Sequence, residues 1–305
     1  MDNLCHTLAG AAMGEAGLKR TTRFGNPVLM ITANLPDVDA LAFLTDVPAV
    51  AIRRGWTHGI LAQALLPVLF AAAVMAFDRW RPPRDGQPRA RFGPLLLLSY
   101  AGVLSHVALD WLNSYGVRLL MPFSNTWFQG DAVFIIDPWL WIALGAGVYL
   151  SRRRRRVTPA RVALTAAVVY IAVMIASANA AREIVRGEWT RLHGSAPRAL
   201  MVGPMPVNPL RKQIIIDAGE HYQSGRFDWR GRAVEFVPAI VPKGDAHPAV
   251  AQAREQPDIR YILVWSRFPF YRVEETPSGT RVTIADMRFG DRLGTAPVVI
   301  PPRPP

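Results

Sequence analysis

Six side chains of the kind that bind divalent cations are strung along the first 110 residues: His6, Asp37, Asp39, His58, His106 and Asp110. His106 and Asp110 are four apart, so on a helix an imidazole and a carboxylate share one face, with Asn113 three residues further on the same stripe. Asp37 and Asp39 follow Pro36, and a proline there interrupts regular structure, which lets two carboxylates two apart converge. Histidine nitrogen combined with carboxylate oxygen suits zinc, manganese or iron and does not discriminate among them. The single cysteine, Cys5, offers neither a disulfide nor a CxxC metal motif. Arg53 and Arg54, just before His58, are the guanidinium groups that would pair with the oxygens of a phosphate. Asp137 precedes Pro138 and reads as a helix N-cap. His193, His221 and His247 are scattered and receive no role.

The elements that must position these residues are hydrophobic. Residues 58–77 and 162–181 contain no Asp, Glu, Lys or Arg, and each run reaches the about 20 residues a bilayer core requires. Shorter or more polar segments lie at 3–18, 27–44, 93–112 and 133–150, giving six in all. The loops between alternate segments carry most of the basic charge: Lys19, Arg20 and Arg23; then Arg79, Arg81, Arg84, Arg89 and Arg91; then Arg152–Arg156 and Arg161. An excess of Arg and Lys marks cytoplasmic loops. With the chain oriented from these residues alone, the candidate ligands all fall toward the outer face. Asp78 and Asp85 are the acids on the inner side and read as solvated loop residues. Trp111, Trp127, Trp139 and Trp141 read as an interfacial aromatic belt.

The net charge of +12 is concentrated in short loops beside apolar runs, so membrane orientation explains it and nucleic acid is not expected as a partner. The first 18 residues lack a basic stretch followed by a long apolar run and do not read as a cleaved signal peptide. After residue 181 the texture changes to Pro, Gly and charged residues with short β-rich runs at Gln213–Asp217, Ala233–Val237, Arg260–Trp265 and Arg281–Ile284. Turn signals such as Pro277-Ser278-Gly279 separate the runs. The expected organisation is a mainly α membrane domain over 1–181, a bundle of about four to six hydrophobic helices. A small β-rich soluble domain follows over 182–305 and ends in a disordered proline-rich tail at Pro301–Pro305.

His6-Thr7-Leu8-Ala9-Gly10, Leu35-Pro36-Asp37-Val38-Asp39, Arg54-Gly55-Trp56-Thr57-His58 and Ser105-His106-Val107-Ala108-Leu109-Asp110 together resemble the metal-dependent hydrolase family of bacterial inner membranes. This is the DUF457 or YdjM-like group, also described as LexA-binding inner-membrane hydrolases. The resemblance covers roughly residues 1–150. It departs from the pattern at Arg53, where the family often has histidine, and at Gly59, where it often has serine. The ligand order also resembles that of zinc-dependent phospholipase C, on spacing alone.

Residues and resemblance together imply a multi-pass inner-membrane protein whose divalent-metal site and C-terminal domain face the periplasm. The metal, zinc with manganese or iron as alternatives, would be held by His6, His58, His106, Asp110 and Asp37 or Asp39. Metal-activated water would hydrolyse an ester, foremost a phosphoester on an amphiphilic or lipid-linked molecule. The remaining aspartate would accept a proton, Arg53 or Arg54 would hold negative charge, and Asn113 would orient a ligand or the water. A metal or proton transporter using the same residues is the alternative, and a non-catalytic scaffold or regulator is the third reading.

Overall fold

A computed structural model describes the chain apart from residues 46–48, 82, 84–87, 291–295 and 302–305, with Ala296 described by its backbone alone. Arg84, Asp85 and most of the proline-rich tail therefore lie outside the described residues. The chain forms two compact units: Met1–Asp39 with Arg54–Ser177, and Ala40–Arg53 with Ala178–Pro305.

The first unit is helical. It contains α1 (Asn3–Glu15), α2 (Gly25–Thr32), the start of a 3-10 helix (Leu35–Leu44), and, after the short α3 (Ala49–Ile52) of the second unit, α4 (Ile60–Trp80), α5 (Phe92–Trp111), α6 (Pro138–Arg154) and the first part of α7 (Thr158–His193). Among the described residues three helices, α4, α5 and α7, are long and apolar enough to cross a membrane, with mean hydropathy of 2.3, 1.6 and 2.0. A fourth span exists if α2 and the following 3-10 helix, bent by 46°, are counted as one. The other helices of the bundle are shorter: α1 has 13 residues and α6 has 17, so α1 rises only about 20 Å against a hydrocarbon core of about 30 Å. Of α4 only Pro67, Ala71 and Asp78 are buried. Leu65, Leu69 and Phe77 are exposed, and a helix apolar on its outward side is stable where that side meets lipid.

Small residues bring α1, α2 and α5 together. A Cβ on Gly10 would sit 2.6 Å from Leu29 O, and one on Gly102 would sit 2.0 Å from Thr32 Oγ1. Backbone approach of this kind is how helices pack without large apolar knobs. Caps set the other entry points. Asp2 accepts from the amides of Leu4 and Cys5 at the start of α1. Asp137 accepts from those of Trp139 and Leu140 at the start of α6, as its sequence context predicts, and also from the Tyr170 hydroxyl at 2.8 Å.

The basic loops meet at one end of this bundle. Arg23 pairs with Asp78, Arg91 donates to Thr21 O, Arg152 pairs with Glu15 and Arg161 donates to Ala16 O. The start of α1, the approach to α4 and the end of α5 are therefore at the other end, and those stretches carry His6, His58, His106 and Asp110.

In the second unit an antiparallel sheet of order β1-β2-β3-β4 is built from Ala199–Pro204, Arg211–Asp217, His221–Asp228 and Ala233–Pro242. Register pairs Leu200 with Ile216 and Val202 with Ile214. Their side chains form a core with Ala181, Val185 and Trp189 from the end of α7. A second antiparallel sheet, β5-β6-β7 (Pro269–Thr276, Gly279–Asp286, Ala296–Ile300), packs with α8 (Pro248–Arg254) and α9 (Pro257–Trp265). Arg260–Trp265, expected as a strand, is thus helical. Pro257 at the first helical position and Asp258 in the first turn favour a helix start. Burial of Ile259, Ile262 and Trp265 at three-residue spacing overrides the β preference of the individual side chains.

Candidate metal centre

Asp37, His58, His106 and Asp110 are buried, and one ligand atom from each lies within 4.8 Å of all the others. The 3-10 helix after Pro36 supplies Asp37, the turn before α4 supplies His58, and the last turns of α5 supply His106 and Asp110 on one face. His58, His106 and Asp110 are fully inaccessible.

Partners on the outer side of each ring fix the histidine tautomers. His106 Nδ1 is 2.7 Å from Ala33 O; a carbonyl only accepts, so this nitrogen carries the proton. His58 Nδ1 lies 3.0 Å from Thr57 Oγ1 and 3.3 Å from Asp39 Oδ2. Thr57 already gives its proton to Asp39 Oδ2 at 2.9 Å, so His58 Nδ1 is the donor here too. With Nδ1 of each ring acting as the donor, the two Nε2 atoms turn inward and face each other at 3.1 Å. At that separation the two nitrogens repel unless a proton or a metal cation lies between them. Two nitrogens bound tetrahedrally to one zinc at about 2.0–2.1 Å stand about 3.3 Å apart.

Asp110 completes the case. Its Oδ2 lies 3.3 Å from His58 Nε2, 3.5 Å from His106 Nε2 and 3.0 Å from Arg54 Nε, yet none of these is aligned as a hydrogen bond and the atom is a buried acceptor without one. Asp37 Oδ1 is 3.9 Å from His106 Nε2. A buried carboxylate oxygen and two inward lone pairs are a donor set that fits a divalent ion, which would satisfy all three.

The remaining sequence candidates fall around this set. His6 is stacked on His106 with ring centroids 3.9 Å apart, and its Nε2 is 3.3 Å from Asp110 Oδ1. It lies beside the four, fully buried, with neither ring nitrogen hydrogen-bonded. Asp39 sits behind His58, held by the Arg54 amide at 2.7 Å and by Thr57. Arg54 is drawn inward: Nε faces Asp110 Oδ2, and Nη1 donates to Asn113 Oδ1 at 3.1 Å. Asn113 Oδ1 also accepts from the amides of Tyr115 and Gly116, which fixes the side-chain orientation and leaves its buried Nδ2 without an acceptor. Arg53 belongs to the second unit, its guanidinium over Phe43 at 5.2 Å. Sequence reasoning passed over three contributors: Ala33 O, Thr57 and the α-amino group of Met1, which is buried against Asp110 Oδ1. Of these only Thr57, adjacent to His58, carries any signal in the sequence. A cavity of about 910 Å³ between α6 and α7 includes Ala143, Gly147 and Ala163 and none of the His or Asp ligand candidates.

Residues 1–181 match a family model described as YdjM inner membrane protein. Among curated proteins, the chain is similar to the uncharacterized protein YfhP of Bacillus subtilis (strain 168), 28% identical over 153 residues. That alignment covers 47% of this chain and 44% of the relative, so the chain spans less than half of that relative's length. No solved structure matches.

Proposed function

Because the chain belongs to the YdjM inner membrane protein family, we propose that its helical unit is a membrane-bound, metal-dependent hydrolase acting on an ester, foremost a phosphoester on an amphiphilic molecule. The observation that carries this reading is the pair of inward Nε2 atoms 3.1 Å apart beside the buried Asp110 Oδ2, which accepts no aligned hydrogen bond and faces Arg54 Nε at 3.0 Å. His58, His106, Asp110 and Asp37 would hold the ion, zinc foremost, with His6 as a further nitrogen ligand within reach of Asp110. When bound, such an ion supplies Lewis acidity and lowers the pKa of water toward about 7.

The chain's own residues would do the rest. Asp39, through Nδ1 of His58, keeps that ring in its ligating tautomer. With Asp37 on the ion, the other carboxylate of the pair, Asp39, would accept the proton released in hydrolysis. Arg54 holds Asp110 and Asn113 in place, which leaves the Asn113 amide free to donate to a substrate oxygen. The convergence of Arg23, Arg91, Arg152 and Arg161 contacts at the opposite end of the bundle supports basic loops in the cytoplasm and a metal site facing the periplasm. The β-rich residues 182–305 would form a periplasmic domain.

Purified full-length protein should contain near-stoichiometric divalent metal by elemental analysis, and His106→Ala and Asp110→Ala should each lose most of it. Turnover of phosphomonoesters, phosphodiesters or carboxylic esters should disappear with chelator and return with the native ion. Unchanged metal content in both variants would defeat the ligand assignment. Absence of turnover in fully metallated protein would defeat the hydrolase reading alone.

A further inference from the structure

At the end of the helical bundle opposite the metal centre, the α1–α2 loop and the chain entering α5 enclose a cavity of about 570 Å³ whose lining includes Arg20, Thr21, Thr22, Arg23, Arg89 and Arg91. Among the described residues no carboxylate lines it. Two of its arginines are structural. Arg23 donates to Asp78 Oδ1 at 2.7 Å and to Arg81 O at 3.1 Å. Arg91 ties the two walls together, its guanidinium to Thr21 O at 2.9 Å and its amide to Thr22 Oγ1 at 3.0 Å. Asp78, the nearby acid, is consumed: it is buried and also accepts from the Ala90 amide. Arg20 and Arg89 are left without an ion pair or side-chain hydrogen bond among the described residues. The 20-residue α5 follows Arg91, which gives it no side-chain cap, so the positive end of its dipole adds to the field in the groove.

We propose that this groove binds a phosphate-bearing anion, with Arg20 and Arg89 as the residues that recognise it. A concave wall with two guanidinium groups uncommitted among the described residues, and no carboxylate in its described lining, suits the several oxygens of a phosphate. The groove lies at the ends of α4 and α5, both of membrane-crossing length and hydropathy, where the headgroup of an anionic phospholipid resides. A soluble phosphate presents the same oxygens. The proposal stands independently of the hydrolase reading.

Native mass spectrometry of the detergent-purified full chain, titrated with phosphatidylglycerol, diacylglycerol and inorganic pyrophosphate, tests it. Saturable binding of phosphatidylglycerol and not of diacylglycerol is expected, weakened about five- to thirtyfold in Arg20→Gln/Arg89→Gln and unchanged in a charge-matched pair from the β-rich unit, Arg230→Gln/Arg232→Gln. The first pair makes no described side-chain bond, so its melting temperature should match the wild type. Phosphatidylglycerol that pyrophosphate does not displace identifies a headgroup site. Pyrophosphate binding that weakens in the same variant identifies a soluble anion. Equal weakening in both variant pairs, equal binding by wild type and Arg20→Gln/Arg89→Gln, or no saturable binding of either phosphate probe would overturn the proposal.

Discussion

His106 illustrates how little of a ligand's chemistry resides in the ligand itself. Its four-residue spacing from Asp110 is visible in the sequence, but its tautomer is set by the carbonyl of Ala33, 73 positions away. Asp39 does the equivalent for His58. From sequence, Asp37 and Asp39 are interchangeable; in the fold Asp37 joins the buried set and Asp39 stands behind a histidine. Asp39→Asn should therefore weaken metal affinity by about 10–100-fold without abolishing it, measured by competition with a chelator of known affinity. Loss as complete as in Asp110→Ala would show that Asp39 is itself a ligand. Arg54 shows the same dependence on context: its type suggests substrate charge, and in the fold its guanidinium contacts Asp110 and Asn113.

Among the elements, those with strong apolar runs were the most legible. The runs at 58–77, 93–112 and 162–181 became α4, α5 and α7 within a few residues at most ends, although α7 continues to His193, because the polar residues that follow still bury Val185 and Trp189 against strands. Arg260–Trp265 misled because a short apolar run has no intrinsic period, and the packing of Ile259, Ile262 and Trp265 decided it. The α2–α5 contact is where an element controls the site. Gly102→Val would drive its Cβ into Thr32 and push Ala33 O away from His106. The expected cost is about 1–3 kcal/mol, seen as a lower melting temperature together with reduced metal content. A melting temperature and metal content equal to wild type would show that α2 and α5 separate freely.

For the whole molecule, orientation and the second unit carry the remaining tests. A reporter fused after residue 181 should be active in the periplasm, and cytoplasmic activity would reverse the proposed topology. In the β-rich unit, burial raises the Asp286 carboxyl, but the Arg288 charge, its hydrogen bonds and the Ser266 hydroxyl outweigh burial and hold the carboxyl below its ordinary value of 3.8. A depressed folded-state value means that the stabilisation is complete above the unfolded value and is lost as pH falls through the folded one. Stability of this unit should fall below about pH 4. Asp286→Asn, which leaves Arg288 buried without its counter-charge, should cost about 3–5 kcal/mol at neutral pH and flatten that acid limb. An unchanged acid limb in thermal melts of the variant would remove Asp286 from this role.

The sequence by itself determined the helical membrane character, the change to β-rich structure after the last apolar run, the family and the set of residue types from which a metal site can be made. Those properties depend on composition and short-range spacing, which need no knowledge of distant contacts. Tertiary structure alone decided which carboxylate joins the buried set, which way each imidazole turns, that Arg54 contacts Asp110 and Asn113, and that two of the basic loops form one groove. Each of those depends on backbone groups or side chains tens of residues apart meeting within hydrogen-bond range, and packing geometry rather than residue type sets such distances.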